Sequence, residues 1–158
     1  MVRTRILAGI ALGLCLSVAA QGDSKSIKQS KLPPAVQKTA EQQSAGATVT
    51  GYSMNKVDGV TTYRMDLVAE GRTRGIVMDS EGNVLSIAQE VAWTDLPADI
   101  QKNFESVSSK GKLGAVSSVS ENGALVAYEA YLVVGGERHL VRVKPKAAEL
   151  EAVPGTSK

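Results

Sequence analysis

The chain contains one cysteine, one histidine, one tryptophan and one phenylalanine in 158 residues. The cysteine is Cys15, inside the apolar run at the start of the chain, so no disulfide framework can hold the remainder together. Zinc sites and most general-base or nucleophilic sites draw on His and Cys. The only histidine, His139 in "GERHLVRV", reads as a strand side chain just after a glycine turn. No His-x-x-x-His, Gly-x-Ser-x-Gly or phosphate-loop motif occurs. The expectation is a chain that is not an enzyme and carries no metal and no cofactor. Aromatic residues number six, namely Tyr52, Tyr63, Trp93, Phe104, Tyr128 and Tyr131. The core must therefore be built mostly from Val, Leu, Ile, Met and Ala, and such a core gains from being shared between two halves of the chain.

Long apolar runs are also missing, apart from residues 6–16. That run follows Arg3 and Arg5 and precedes the small residues Ser17-Val18-Ala19-Ala20, the pattern of a secretory signal peptide with cleavage at Ala20 and Ala19 as the competing site. It is about half the ~20 residues that span a bilayer, so no stable membrane span is expected after cleavage. Leu14 stands where a lipoprotein signal needs a small residue before its cysteine, which makes lipidation of Cys15 the minor alternative. The expected location is extracytoplasmic, periplasmic or secreted. The formal charge of +2 falls to about zero once Arg3 and Arg5 leave with the signal, which argues against nucleic acid as a partner. Arg138, Arg142, Lys144 and Lys146 cluster late in the chain, but their interleaving with aromatics is slight and they read as solvated strand charge.

The chain repeats itself. "SKLPPAVQKTA" at 30–40 returns as "TDLPADIQKNF" at 94–104, and Gly59 with Gly123, Tyr63 with Tyr128, and Leu67 with Leu132 continue the match at an offset of about 64. This divides the chain into a signal peptide (1–20), a flexible leader (21–31), a first repeat (32–92), a second repeat (93–150) and a tail (151–158). Each repeat opens with a helix, since Pro fits the first helical turn. Val36 and Ala40, and Ile100, Phe104 and Val107, make its apolar stripe, with Ser30 and Thr94 or Asp95 as candidate caps. Hairpins follow at Asp58-Gly59, Gly71, "DSEGN" (79–83), Asn122-Gly123 and Gly135-Gly136. Alternation puts Tyr63, Met65 and Leu67, and Tyr128, Ala130 and Leu132, under the helices, leaving Arg64, Asp66, Glu129, Tyr131 and Val133 on the other face. "DSEGN" has Glu90 at the twelfth position of a calcium loop, but its flanks are strands and it reads as a hairpin turn. The other carboxylates are scattered over turns and the wet face.

This order of a Leu-Pro helix, a Gly-turn hairpin leading to Tyr-x-x-x-Leu, "RTRGIVMDSEGNVL" and a second "DLP" helix resembles secreted PepSY-like proteins of the β-lactamase-inhibitor-like group, over about residues 31–150. The resemblance implies an α+β fold of two tandem units. Each would be a short N-terminal helix packed on one face of a four-stranded antiparallel meander, the two sheets either separate or merged into one continuous concave sheet. It also implies bacterial, extracytoplasmic, non-catalytic binding of a protein or peptide through the open sheet face, including inhibition of a secreted enzyme. A structural or assembly role in the cell envelope is the alternative. The sequence departs from the pattern at residues 144–149, which lack the turn glycine of 79–83, so the last strand of the second repeat is expected to be short, displaced or missing. Tyr131, Arg64 and Arg142 on the open face, and Trp93 at the junction of the repeats, are the candidate binding residues, because Tyr, Trp and Arg anchor interfaces most often. Cross-strand pairing for the first three, and a packing plug for Trp93, are the competing structural roles.

Overall fold

The computed structural model of the protein describes residues 24–145. The expected signal segment with cleavage at Ala20, Cys15, the stretch 146–150 and the tail 151–158 lie outside the described residues. No helix among the described residues is long and apolar enough to cross a membrane.

The elements run β1 (Lys25–Ile27), α1 (Pro34–Gln43), β2 (Thr48–Val57), β3 (Val60–Ala69), β4 (Arg72–Met78), β5 (Val84–Val91), α2 (Ala98–Ser108), β6 (Lys112–Glu121), β7 (Ala124–Val134) and β8 (Glu137–Val143). All eight strands form one antiparallel sheet in sequential order. This corrects the expectation of two units, each an N-terminal helix followed by a four-stranded meander. The helices are inserted between neighbouring strands, α1 between β1 and β2 and α2 between β5 and β6, and only three described strands follow α2. The sheet is continuous because residues 86–91 of β5 pair with 116–121 of β6. Two separate sheets would leave two further rows of unpaired main-chain groups at their edges.

The leader also differs from expectation. Residues 25–27 form β1 against Tyr52, Ser53 and Met54 of β2, and Ile27 packs against the core under α1. Three residues are too few to show a period in the sequence, so this strand is fixed by its partner and not by its own pattern.

The repeated words have a local explanation. A 3-10 turn, Gln29–Lys31 or Trp93–Asp95, delivers the chain to each Leu-Pro pair. Leu32 and Leu96 are buried. The Gln37 side-chain amide donates to the Leu32 carbonyl at 2.8 Å, and that of Gln101 donates to the carbonyls of Leu96 at 3.1 Å and Trp93 at 2.9 Å. Gln therefore recurs because it satisfies main-chain oxygens left over where the 3-10 turn meets the helix. Pro33 and Pro97 occupy the cap positions and no side chain caps either helix, so the expected caps Ser30, Thr94 and Asp95 do not form.

Pairing transmits one face from strand to strand. Tyr52 faces Met65, Met65 faces Ile76 and Ile76 faces Ile87. Further along, Val91 faces Val116, Val116 faces Ala130 and Ala130 faces Val141. Directly paired residues share a face, so both helices lie on the same side of the sheet. Under α1, Leu32, Val36, Ala40, Met65, Leu67, Ile76 and Met78 form one buried cluster; under α2, Leu96, Ile100, Phe104, Val116, Tyr128 and Ala130 form another. A polar row, Arg74 paired with Gln89 and Gln89 with Ser118, crosses the helix side between them. The Arg74 guanidinium donates to the Gln89 side-chain oxygen, and the Ser118 hydroxyl donates to the Gln89 carbonyl at 3.3 Å. The turn at 79–83 is tied back to α1. The Thr39 hydroxyl donates to the Gly82 carbonyl at 2.8 Å, and a Cβ on Gly82, whose φ is +83°, would stand 2.6 Å from the Ala35 carbonyl oxygen.

Phe104, fully buried at the centre of the α2 cluster, is expected to cost about 3–5 kcal/mol on truncation to Ala, read as a shift in the urea midpoint. Gln101→Ala removes only the two junction hydrogen bonds, and about 1 kcal/mol is expected. Equal costs for the two variants would contradict this division between packing and capping.

Candidate functional site

The side of the sheet opposite the helices has no covering element among the described residues. One register row across it is made almost entirely of small residues. Gly51 pairs with Asp66, Asp66 with Gly75, Gly75 with Ala88, Ala88 with Val119 and Val119 with Ala127. Taller side chains stand on either side, so the row is the floor of a shallow groove of about 310 Å³. Its rim includes Arg64, Thr73 and Ser117 beside the floor residues Asp66, Gly75 and Ala88.

The Arg64 guanidinium lies over Gly75, where a Cβ would stand 2.6 Å from its Cζ. Its Nε donates to Asp66 Oδ1 at 2.8 Å, and both side chains are about half exposed. Asp66 thus aims Arg64 along the groove. The absence of a side chain at Gly75 is what lets the guanidinium come down onto the sheet.

A second polar row runs beside the groove. Glu90 Oε2 accepts from the Thr73 main-chain N–H at 3.1 Å and from its hydroxyl at 2.8 Å. These bonds from Thr73, main chain first, and the nearby Arg72 charge hold the Glu90 carboxyl below its usual range. Glu90 pairs with Ser117, Ser117 with Glu129 and Glu129 with Arg142. Arg142 ends the row with two carboxylates, Glu129 Oε1 at 3.0 Å from Nη1 and Glu121 Oε1 at 3.2 Å from Nη2.

Of the four residues singled out in the sequence, Arg64, Tyr131 and Arg142 lie on the open face, as their register with Ser53, Leu140 and Glu129 requires. They are not brought together. Arg64 is on β3 and Arg142 on β8, five strand intervals and on the order of 24 Å apart. Tyr131 is paired with Leu140, and the Arg138 guanidinium stacks over its ring at 4.1 Å. Trp93 stands apart from all three, in the 3-10 turn leading into α2, partly exposed. The next residues of that turn are anchored by an Asp95–Arg72 ion pair at 3.5 Å.

The residues that sequence reasoning missed are Gly75, Thr73 and Glu90. Gly75 carried a signal, since a lone glycine inside "RTRGIVM" marks close approach in a strand. Thr73 and Glu90 carried none, because 17 residues separate them and only the β4–β5 register joins them.

The "DSEGN" segment is the β4–β5 turn, and its aspartate is spent on the turn itself. Asp79 Oδ1 accepts from the main-chain N–H groups of Glu81 and Asn83, both at 2.9 Å, while Oδ2 accepts from the Asn83 side chain at 2.8 Å. These bonds, that from the Asn83 side chain first, lower the Asp79 pKa. Among the described residues no group of three His, Cys, Asp or Glu side chains is placed to hold a metal ion.

No family model matches the sequence, and no curated protein matches it. Solved structures are similar to it, among them two from Bacteroides. A periplasmic protein from Bacteroides thetaiotaomicron, provisionally described as calcium-regulated, is 20% identical, with 78% of this chain and 91% of that chain covered and a TM-score of 0.37. A periplasmic protein of the DUF2874 family from Bacteroides vulgatus is 14% identical, with 78% and 98% covered and a TM-score of 0.38.

Thr73→Val is expected to move the Glu90 titration upward, towards the ordinary carboxylate range, followed by carboxyl NMR. Asp79 and Glu90 are both depressed on folding, so what they add to stability is present above the unfolded carboxylate range. It is lost as the pH falls through their folded values. A Glu90 titration unmoved by Thr73→Val would contradict the assigned hydrogen bonds.

Proposed function

We propose that the protein is a non-catalytic binding module that takes a protein or peptide on its open sheet face. The observation that carries this reading is the groove over Gly75, into which Asp66 aims a half-exposed arginine. A main chain approaching the sheet would meet a low floor at Gly75 and Ala88, the guanidinium donors of Arg64 lying over it, and the Ser117 hydroxyl, while the Thr73 hydroxyl already donates to Glu90. Inhibition of a secreted enzyme is one form such binding would take, in keeping with the PepSY-like resemblance of the sequence. The single histidine, His139, is exposed at a sheet edge, away from the groove, and supports no general-base role there.

The N-terminal pattern of residues 1–20 supports an extracytoplasmic location. Sequencing of the protein recovered outside the cytoplasm is expected to begin at Gln21. Recovery only as a chain beginning at Met1 would contradict it.

The binding reading is tested by capture from the envelope and secreted fractions with the wild-type chain, Gly75→Val, Arg64→Ala and, as a helix-side control, Lys102→Glu. Gly75→Val fills the groove, and the clash falls on the mobile end of Arg64, so the fold is expected to survive. The partner should be retained by wild type and Lys102→Glu and lost with the two groove variants, all four with similar thermal midpoints. Retention by all four would remove the groove from the account.

A further inference from the structure

Among the described residues the sheet has two outer edges. β1 is three residues long and β8 is seven, so β8 presents the longer row of unpaired main-chain groups. The β7–β8 hairpin turns through Gly135 and Gly136, both at positive φ, with Val134 and Glu137 as its closing pair. In a two-residue hairpin the closing pair is hydrogen bonded, and the pattern alternates from there. Glu137, His139, Val141 and Val143 therefore direct their main-chain groups towards β7. Arg138, Leu140 and Arg142 direct theirs outward. The side chains of these same three residues stand on the open face, where Leu140 is 43% and Tyr131 46% exposed as a directly opposed pair.

We propose that β8 is a self-association edge: two copies pair their β8 strands antiparallel about Leu140, making a twofold dimer with one sheet running through both. Three features select a second copy as the occupant. Pairing about Leu140 matches outward-facing residues only with outward-facing residues, so every N–H and C=O from 138 to 142 that is unpaired among the described residues finds a partner. It sets Leu140 against its twin with Tyr131 on either side, extending an apolar row that each copy leaves exposed. It also sets Arg138 opposite Arg142 of the other copy, a like-charge approach that the two carboxylates around Arg142 offset. Arg142 is held by both Glu121 and Glu129, so the group that Arg138 meets carries a net single negative charge. A twofold contact must be complementary to itself, and this one is. The inference does not draw on the groove at Gly75.

Sedimentation velocity of the chain from Gln21 onward, which contains every described residue, tests this across the micromolar range beside Leu140→Pro and Leu140→Lys. Proline removes only the outward-facing N–H and is tolerated on such an edge. Lysine keeps the main chain and removes the apolar contact, so it serves if the proline variant fails to fold. Wild type is expected to pass from monomer to dimer with rising concentration. The folded variants should associate at least roughly tenfold more weakly, with unchanged far-ultraviolet circular dichroism. A wild type that stays monomeric throughout would overturn the proposal, as would variants that dimerise as well as wild type. Assemblies growing beyond the dimer would also overturn it, because they would assign the edge to head-to-tail pairing of β8 with β1.

Discussion

The antiparallel pairing of residues 86–91 with 116–121 joins the strands on which α1 sits to those on which α2 sits. It fixes them in one register. Because directly paired residues share a face, that one ladder decides that both helices fall on the same side. The other consequences follow from it. The apolar side chains of β2–β4 and of β6–β8 point the same way, and two small cores, poor in aromatics, share one scaffold. The opposite face is left without a covering element among the described residues.

What occupies the seam explains why the two cores stay distinct. On the helix side the ladder carries Gln89 and Ser118, and the former is bound by Arg74. Polar side chains that satisfy one another between two apolar patches lower the gain from drawing the helices together. On the open side the same ladder carries Ala88 opposite Val119 and Glu90 opposite Ser117. It therefore continues both the small-residue floor and the polar row beside it. The groove is a property of the register, since a slip of one residue would send Gly75 and Ala88 under the helices and Ile76 and Ile87 into water.

Much of this was legible in the sequence and some was not, for identifiable reasons. The Leu-Pro helices, the glycine turns and the alternation of Tyr63, Met65 and Leu67 could be read because each depends on contacts within a few residues. The Gln of the repeated word was visible, but its bond to the carbonyl of the preceding Leu was not. The expectation of two four-stranded units fails where strand order matters. Residues 84–91 are a strand whichever side they pair with, and no local pattern says that β5 leads through α2 to β6. The leader was misread at residues 25–27 because a strand of three residues is defined by its partner. At the candidate site, Arg64, Tyr131 and Arg142 were assigned to the correct face by parity. Their separation across five strand intervals depends on the sheet being one, which parity cannot report.

The β5–β6 ladder makes the molecule a single cooperative sheet. Native-state hydrogen exchange at residues 86–91 and 116–121 tests it most directly. The paired amides of this ladder are expected to exchange only through global unfolding, with the same free energy as the protected amides of β3 and β7. Exchange of the seam amides at much lower cost, while β3 and β7 stay protected, would mean two sheets resting side by side and would contradict it.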